Sequence, residues 1–366
     1  MPGRPGALVS RHTIWTSYAA RKRALPVIFR GGRWMSGPAE ERRPEQAPVN
    51  QLILNTATRM SKTATCWRLY SIFSRPRLLS VTYHRVGNDT QFRSLDMNIF
   101  RGQIEWLSQR FRLIRGDEVQ DALDGRLVGE RIPLLITFDD GYRTLYSEVY
   151  PVLQAMNIPA VVFLPTALIG TQDLLWTDQV DWAFSRTTKK EVRLPSSDSD
   201  TRPLSTAADR QQASTDSKAF LKSLPDRQRK LHVERLLQGL DVDAQPIRQM
   251  LNWDEVREIQ DTIMPAAHSH SHPIMSRLEP EQVDMEVTTC RDIIKSETGV
   301  TPRLFAYPNG GLSDFDEYCQ TALGRRGYIA GFTTCIGANG ANANPLTLAR
   351  GPTTMPTAND LARYML

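Results

Sequence analysis

From about residue 78 onward, apolar positions follow two alternating rhythms. Continuous apolar or β-branched runs recur at residues 78–83 (LLSVTY), Pro133–Phe138 (PLLITF) and Ala160–Leu164 (AVVFL). Runs of this length without polar alternation predict strands buried on both faces, as in a parallel sheet. Between them the period lengthens to that of a helix. Phe100, Ile104 and Leu107 share one face of a helix predicted over residues 99–110, and another is predicted over 146–156. Further strands are expected at Ile263–Ala267, 304–307, 328–333 and 346–349. Strands alternating with helices across short connections imply an α/β fold with a parallel sheet, open or closed into a barrel.

Two stretches break the rhythm. Residues 1–63 show no sustained period and predict little fixed structure, with a short amphipathic helix at 66–74 leading into the domain. Residues 195–217 are rich in Ser, Asp, Thr and Ala and read as an exposed loop, followed by one or two helices over 216–240. The strand pattern resumes afterwards, so 186–248 is read as an insertion, not a second domain. The expected organisation is a basic extension over 1–63 and one barrel domain over 64–366.

Charge changes the picture less than it first suggests. The chain has 366 residues and a net charge of +5, but residues 1–39 hold seven Arg or Lys and no acid. The remainder is balanced, at 38 basic against 40 acidic residues, and gives no case for nucleic-acid binding. The basic start leaves open a peripheral contact with a membrane surface. No apolar stretch approaches the roughly 20 residues that span a bilayer, and no secretory signal with an apolar centre is visible. A cytoplasmic protein without a transmembrane segment is expected. Cys66, Cys290, Cys319 and Cys335 form no CxxC pair and read as reduced thiols.

Three segments carry candidate chemistry. Asp139-Asp140-Gly141-Tyr142 directly follows the run PLLITF, and the C-terminal end of a parallel strand is where α/β folds place their sites. Successive strand side chains point to opposite faces, so both Asp can serve one site only if the chain turns there. Gly141 permits such a turn. The second segment is His268-Ser269-His270-Ser271-His272-Pro273, which holds half of the chain's six histidines. Imidazoles together with an Asp140 oxygen could ligate a divalent metal and leave positions open for water and substrate. The third, Phe305-Ala306-Tyr307-Pro308-Asn309-Gly310, reads alone as a strand running into a turn.

In this order the three segments resemble the motifs of the polysaccharide deacetylase (NodB-homology) family, a resemblance that extends over about residues 78–348. It implies a distorted (β/α) barrel of about seven parallel strands that removes N-acetyl groups from amino sugars. By the same resemblance Asp139 is the catalytic base, and Asp140, His268 and His272 are the ligands of a divalent metal, most often Zn2+. Asn309 lends a backbone N–H to the oxyanion hole, while Tyr142, Tyr307 and Pro308 fall at the substrate surface. The substrate partner is an N-acetylated amino sugar in a polysaccharide, glycolipid or precursor.

Two departures stand out. Ala306 occupies the place of an arginine that holds the base in many members, with Arg303 the nearest substitute. No histidine follows His272, so the family's late Leu-x-His general acid is missing. Of the remaining histidines, His84 directly follows the first strand and is the candidate acid, ahead of His270. Two rival readings stay open: a different metallohydrolase using His268-x-His270, and a glycan-binding pseudoenzyme of the same fold.

Overall fold

The computed structural model describes residues 76–88, 91–194, 201–242 and 246–353. The extension at 1–63, the helix expected at 66–74 and Cys66 lie outside them.

The predicted strands assemble into one parallel sheet. Its path contains β1 (Leu79–Tyr83), β3 (Pro133–Phe138), β4 (Ala160–Leu164), β7 (Ile263–Ala267), β8 (Leu304–Ala306), β9 (Ala330–Phe332) and β10 (Gly351–Pro352). The order is β10-β1-β3-β4-β7-β8-β9, and the two-residue β2 (Arg112–Leu113) pairs beside β3. At one end, Gly351 pairs with Val81 of β1; at the other, Leu348 bridges Phe332 of β9, also in parallel. Residues 348–352 therefore span the gap between the sheet's two ends and curl it into the expected seven-stranded distorted barrel.

The strand expected at 346–349 is shifted. Pro345–Thr347 is a 3-10 turn opened by the Asn344 side chain, and pairing resumes only at Leu348 and Gly351. Prolines at 345 and 352 remove backbone donors and restrict what a ladder can use here.

Period-2 alternation sorts each strand into two faces. Leu134, Ile136 and Phe138 of β3 join the apolar layer packed under the helices, whereas Leu135 joins the barrel interior. On β4, Val162 and Leu164 face the helices while Val161 and Phe163 face inward; on β8, Phe305 faces out while Leu304 and Ala306 face in. The outer layer receives α1 (Met97–Arg110), whose Phe100, Ile104 and Leu107 are buried as its period predicts. It also receives α8 (Pro280–Thr298) and α9 (Glu317–Arg325). After α2 (Val119–Leu123), the helix expected over 146–156 starts as a π-turn at Leu145–Val149 and becomes regular as α3 (Tyr150–Ala155), and α7 (Trp253–Ile259) leads into β7.

Between β4 and β7 the chain makes a helical excursion: α4 (Trp176–Arg186), the hairpin β5 (Glu191–Arg193) and β6 (Thr201–Pro203), then α5 (Ala207–Ser223) and α6 (Asp226–Leu240). It has its own apolar cluster, including Phe184, Leu221, Val233 and Leu240. The loop expected over 195–217 is corrected here, since its described part is mostly β6 and α5. The Thr206 hydroxyl and Asp209 carboxylate form a capping box that starts α5. Its buried face uses small residues, Ala213, Ser214 and Ser217, before Leu221. A helix buried through Ala and Ser carries little hydrophobic signal, so its sequence resembles a loop. Pro225 then separates α5 from α6. Among the described residues no helix is long and apolar enough to cross a membrane. Cys290, Cys319 and Cys335 are free thiols.

Candidate metal centre and active site

The inward columns of three strands, β1, β3 and β7, converge at the barrel's C-terminal rim. On β3 the column Leu135–Thr137 ends in Asp139. On β1 the alternation through Ser80 and Thr82 brings up His84, and on β7 Ala266 is followed by His268. Asp140 would point away from this interior if the strand continued. It does not continue: Asp140 has φ +72° and Gly141 φ +69°, two successive left-handed residues that turn the second carboxylate back to the same site. A Cβ on Gly141 would meet side-chain carbons of Leu164 and Ile169 at 2.9 Å, so glycine is also needed for space.

Asp140, His268 and His272 form a buried group whose ligand atoms all lie within 4.8 Å of one another. Asp140 Oδ1 is 3.4 Å from His268 Nε2 and 3.3 Å from His272 Nε2. A tetrahedral zinc with bonds of about 2.0–2.1 Å needs neighbouring donor atoms about 3.3–3.4 Å apart, so the residues fit such an ion. The tautomer of His268 fits as well. Its Nδ1 is 2.7 Å from the Ala306 carbonyl oxygen, which can only accept. The proton therefore sits on Nδ1 in the neutral ring, and the Nε2 lone pair is free for a metal.

Charge favours the ligand form of Asp140 and of His272 but works against the neutral ring of His268. Burial alone would raise the Asp140 carboxyl, but hydrogen bonds from His268 and His272 outweigh it and hold it well below the usual carboxylate range. Burial pushes His272 down towards the neutral ligand form, whereas for His268 the Asp140 carboxylate outweighs burial and raises it.

The loop carrying the two histidines is strained and tightly anchored. Ser269 and His272 adopt φ +62° and +56°. Such residues cost of order 1–3 kcal/mol each and persist only where their surroundings hold them. The anchor is Glu286 on α8, a buried side chain. Its Oε2 accepts from the N–H groups of His270 (2.8 Å) and Ser271 (2.7 Å), and its Oε1 from the Ser271 hydroxyl. The His272 N–H donates to Ser269 Oγ at 3.1 Å. His270, between the other two histidines, is instead tied through Nδ1 to the Thr166 hydroxyl at 2.9 Å. It takes no part in the cluster.

Asp139 is bound by a residue that sequence reasoning missed. Arg350 Nη1 and Nη2 each donate to one carboxylate oxygen at 2.7 Å, in a bidentate pair with both side chains buried. Arg350 is itself fixed by bonds to the Thr333 carbonyl (2.8 Å) and the Thr137 hydroxyl (3.1 Å). Burial would raise the Asp139 carboxyl, but the Arg350 charge outweighs it and leaves it below its ordinary value. Arg303, the expected substitute for an arginine at 306, is exposed just before β8, at the opposite end of that strand from the site. A signal for Arg350 was present: Leu348-Ala349-Arg350 has the Leu-x-His spacing with arginine in place of histidine.

His84 lies on the rim, half-exposed, with Nε2 3.9 Å from Asp139 Oδ2. Asn309 has φ +62°, and its N–H donates to no acceptor among the described residues; its carbonyl accepts from the Thr334 hydroxyl. The expected substrate contacts divide. The Tyr142 ring is nearly buried and lies 3.9 Å from the Arg85 guanidinium, at the wall of a groove. Tyr307 and Pro308 are corrected. Tyr307 follows the outward phase of Phe305, stacks on Phe315 at 4.1 Å and donates to the Leu346 carbonyl, so it belongs to the core. Pro308 is buried beside it.

Fold and site together define a (β/α) barrel with a buried Asp-His-His group that could hold a metal ion at its C-terminal rim. The model of the family described as polysaccharide deacetylase matches residues 129–328, more than half of the chain. The chain belongs to the polysaccharide deacetylase family. It is 31% identical over 90 residues to the poly-beta-1,6-N-acetyl-D-glucosamine N-deacetylase of Escherichia coli (strain K12), a match covering 23% of this chain and 13% of that protein. The chain thus matches only a small part of that relative's length. Two solved structures share the fold. The Streptococcus pyogenes deacetylase PplD in complex with acetate has a TM-score of 0.52 at 15% identity, covering 79% of this chain and 97% of its own. IcaB from Ammonifex degensii has a TM-score of 0.52 at 17% identity, with the same coverage.

Proposed function

We propose that this protein is a zinc-dependent N-deacetylase acting on an N-acetylated amino sugar within a glycan. The observation that carries the reading is the junction of two buried groups on one rim: a three-donor metal centre, and beside it a carboxylate held ionised by Arg350. One oxygen and two imidazole nitrogens suit zinc, and three protein ligands leave a position for substrate or water. When bound, the ion would supply Lewis-acid polarisation of the amide carbonyl and ease deprotonation of the attacking water.

The remaining steps belong to the chain's own residues. Asp139, kept as carboxylate, takes the proton from water as the oxygen attacks the acetyl carbon. The Asn309 N–H donates to the developing oxyanion. His84 hands a proton from its ring nitrogen to the departing sugar amine, so that the C–N bond breaks to give acetate and a free amine. His84 and Arg350 fill the two roles whose apparent absence had favoured a non-catalytic glycan binder. Because the donors that converge are Asp140, His268 and His272, with His270 turned to Thr166, the His-x-His metallohydrolase reading loses its motive.

The test is acetate release from β-linked N-acetylglucosamine oligomers, beside a phosphodiester and a cyclic amide. Acetate release confined to the acetylated sugars is expected. Turnover of either other substrate without acetate release would refute the reading.

A further inference from the structure

A groove of about 1010 Å³ starts at His84 and runs outward between the barrel rim and the helical excursion. The barrel contributes Arg85 and Tyr142; α4 and α5 contribute Asp178, Asp181 and Gln211. Its lining includes a polar cluster that the proposed reaction does not use. The Arg85 guanidinium lies between two aromatic rings, Tyr142 at 3.9 Å and Phe92 at 4.3 Å. Arg85 Nη2 and the Tyr142 hydroxyl donate to the same oxygen of Asp178, at 2.9 and 3.0 Å. Among the described residues no donor reaches the other oxygen, Asp178 Oδ1. The cluster is tied to the candidate metal centre through the chain, since Tyr142 lies two residues after Asp140.

We propose that this groove is a binding site for the sugar residues flanking the reactive one, with Asp178 as a specificity-determining acceptor for pyranose hydroxyls. Four features support it. The groove is continuous with the candidate acid His84. Its volume lies at the top of the roughly 300–1,000 Å³ range of pockets that hold drug-sized ligands, room for several pyranose rings. Its charges are nearly balanced, with Arg85 paired to Asp178 and Lys218 to Asp181, which suits an uncharged, hydroxyl-rich chain. The Asp178 carboxylate is fixed before any ligand arrives, so little ordering cost remains on binding. The inference deepens the deacetylase reading and rests on it for the identity of the ligand.

Two measurements on the metal-loaded full chain separate the two ideas. Calorimetry gives binding of β-linked N-acetylglucosamine oligomers of one to five residues, and acetate release gives kcat and KM for the same series. Affinity should rise at least about tenfold from monomer to tetramer. Asp178→Asn, whose carbonyl can still accept from Arg85 and Tyr142, should abolish most of that rise, through KM and not kcat. Gln211→Trp, which fills the groove from α5 without touching the cluster, should do the same and guards against a folding defect in the first variant. Length-dependent binding that both variants leave intact, or no length dependence in the wild type, would overturn the groove assignment. Groove-dependent binding without acetate release would leave it standing and refute the deacetylase reading instead.

Discussion

Arg350 holds Asp139 by two 2.7 Å hydrogen bonds across 211 residues of sequence, with neither side chain open to water. Arg350 lies in the segment that closes the barrel, so closure of the fold and ionisation of the proposed base depend on the same residues, 348–352. A buried ion pair of this kind contributes little net stability against an apolar replacement, but losing one partner strands the other charge.

Arg350→Met should therefore destabilise the protein by about 3–5 kcal/mol, and Arg350→Met with Asp139→Asn by clearly less. Chemical denaturation of the three proteins measures both. The pH dependence has a definite sign. Asp139 is lowered in the fold, so its contribution is present above its ordinary value of 3.8 and is lost as pH falls through the lowered value. Without Arg350, burial is the largest remaining influence and acts upward. The acid limb of kcat/KM should move to higher pH, and an unmoved limb would mean that Arg350 does not set the protonation of Asp139.

Glu286 should act on the metal without touching it. Its carboxylate fixes the loop between His268 and His272, and outer groups of this kind typically change metal affinity 10–100-fold. Glu286→Ala should weaken zinc binding by about that factor in a chelator competition. In Glu286→Gln the amide oxygen can still accept from both N–H groups, with its NH2 turned to the Ser271 hydroxyl, so this variant should stay near wild type. Equal affinities for all three proteins would reduce Glu286 to an ordinary packing residue.

His84→Ala should keep its metal and lose at least about tenfold in kcat, the low side of the range for acid–base residues. His270→Ala should keep its metal and most of its turnover, since its ring bonds to Thr166 and not to the ligand cluster. A His84 variant with near-normal kcat would remove it from the reaction.

Much of this site was legible because barrel strands alternate. Once residues 78–83 and Pro133–Phe138 read as strands, His84 and Asp139 at their ends fall on the inner phase. The turn at Asp140–Gly141 was implied by two adjacent carboxylates followed by glycine. The same alternation, applied to the strand ending at Ala306, puts Tyr307 on the outer phase with Phe305, against its assignment to the substrate surface. Arg350 was missed for a different reason. Its segment pairs through one bridge at Leu348 and two residues at Gly351–Pro352, too short and proline-bound to show a period. Helix α5 was hidden by its composition, since it packs through Ala and Ser, and the groove it lines with α4 depends on how the excursion docks on the barrel.

The central claim is that buried Asp140, His268 and His272 hold the metal on which acetate release depends, with Asp139 acting as base. The most direct measurement follows acetate release and bound zinc in the same samples, before chelation, after it, and after zinc is returned. The wild type should lose both together and regain both. Asp139→Asn should bind zinc yet release no acetate, whereas His268→Ala and His272→Ala should fail to bind it. Acetate release that persists in the zinc-free protein, or undiminished turnover in Asp139→Asn, would contradict the account.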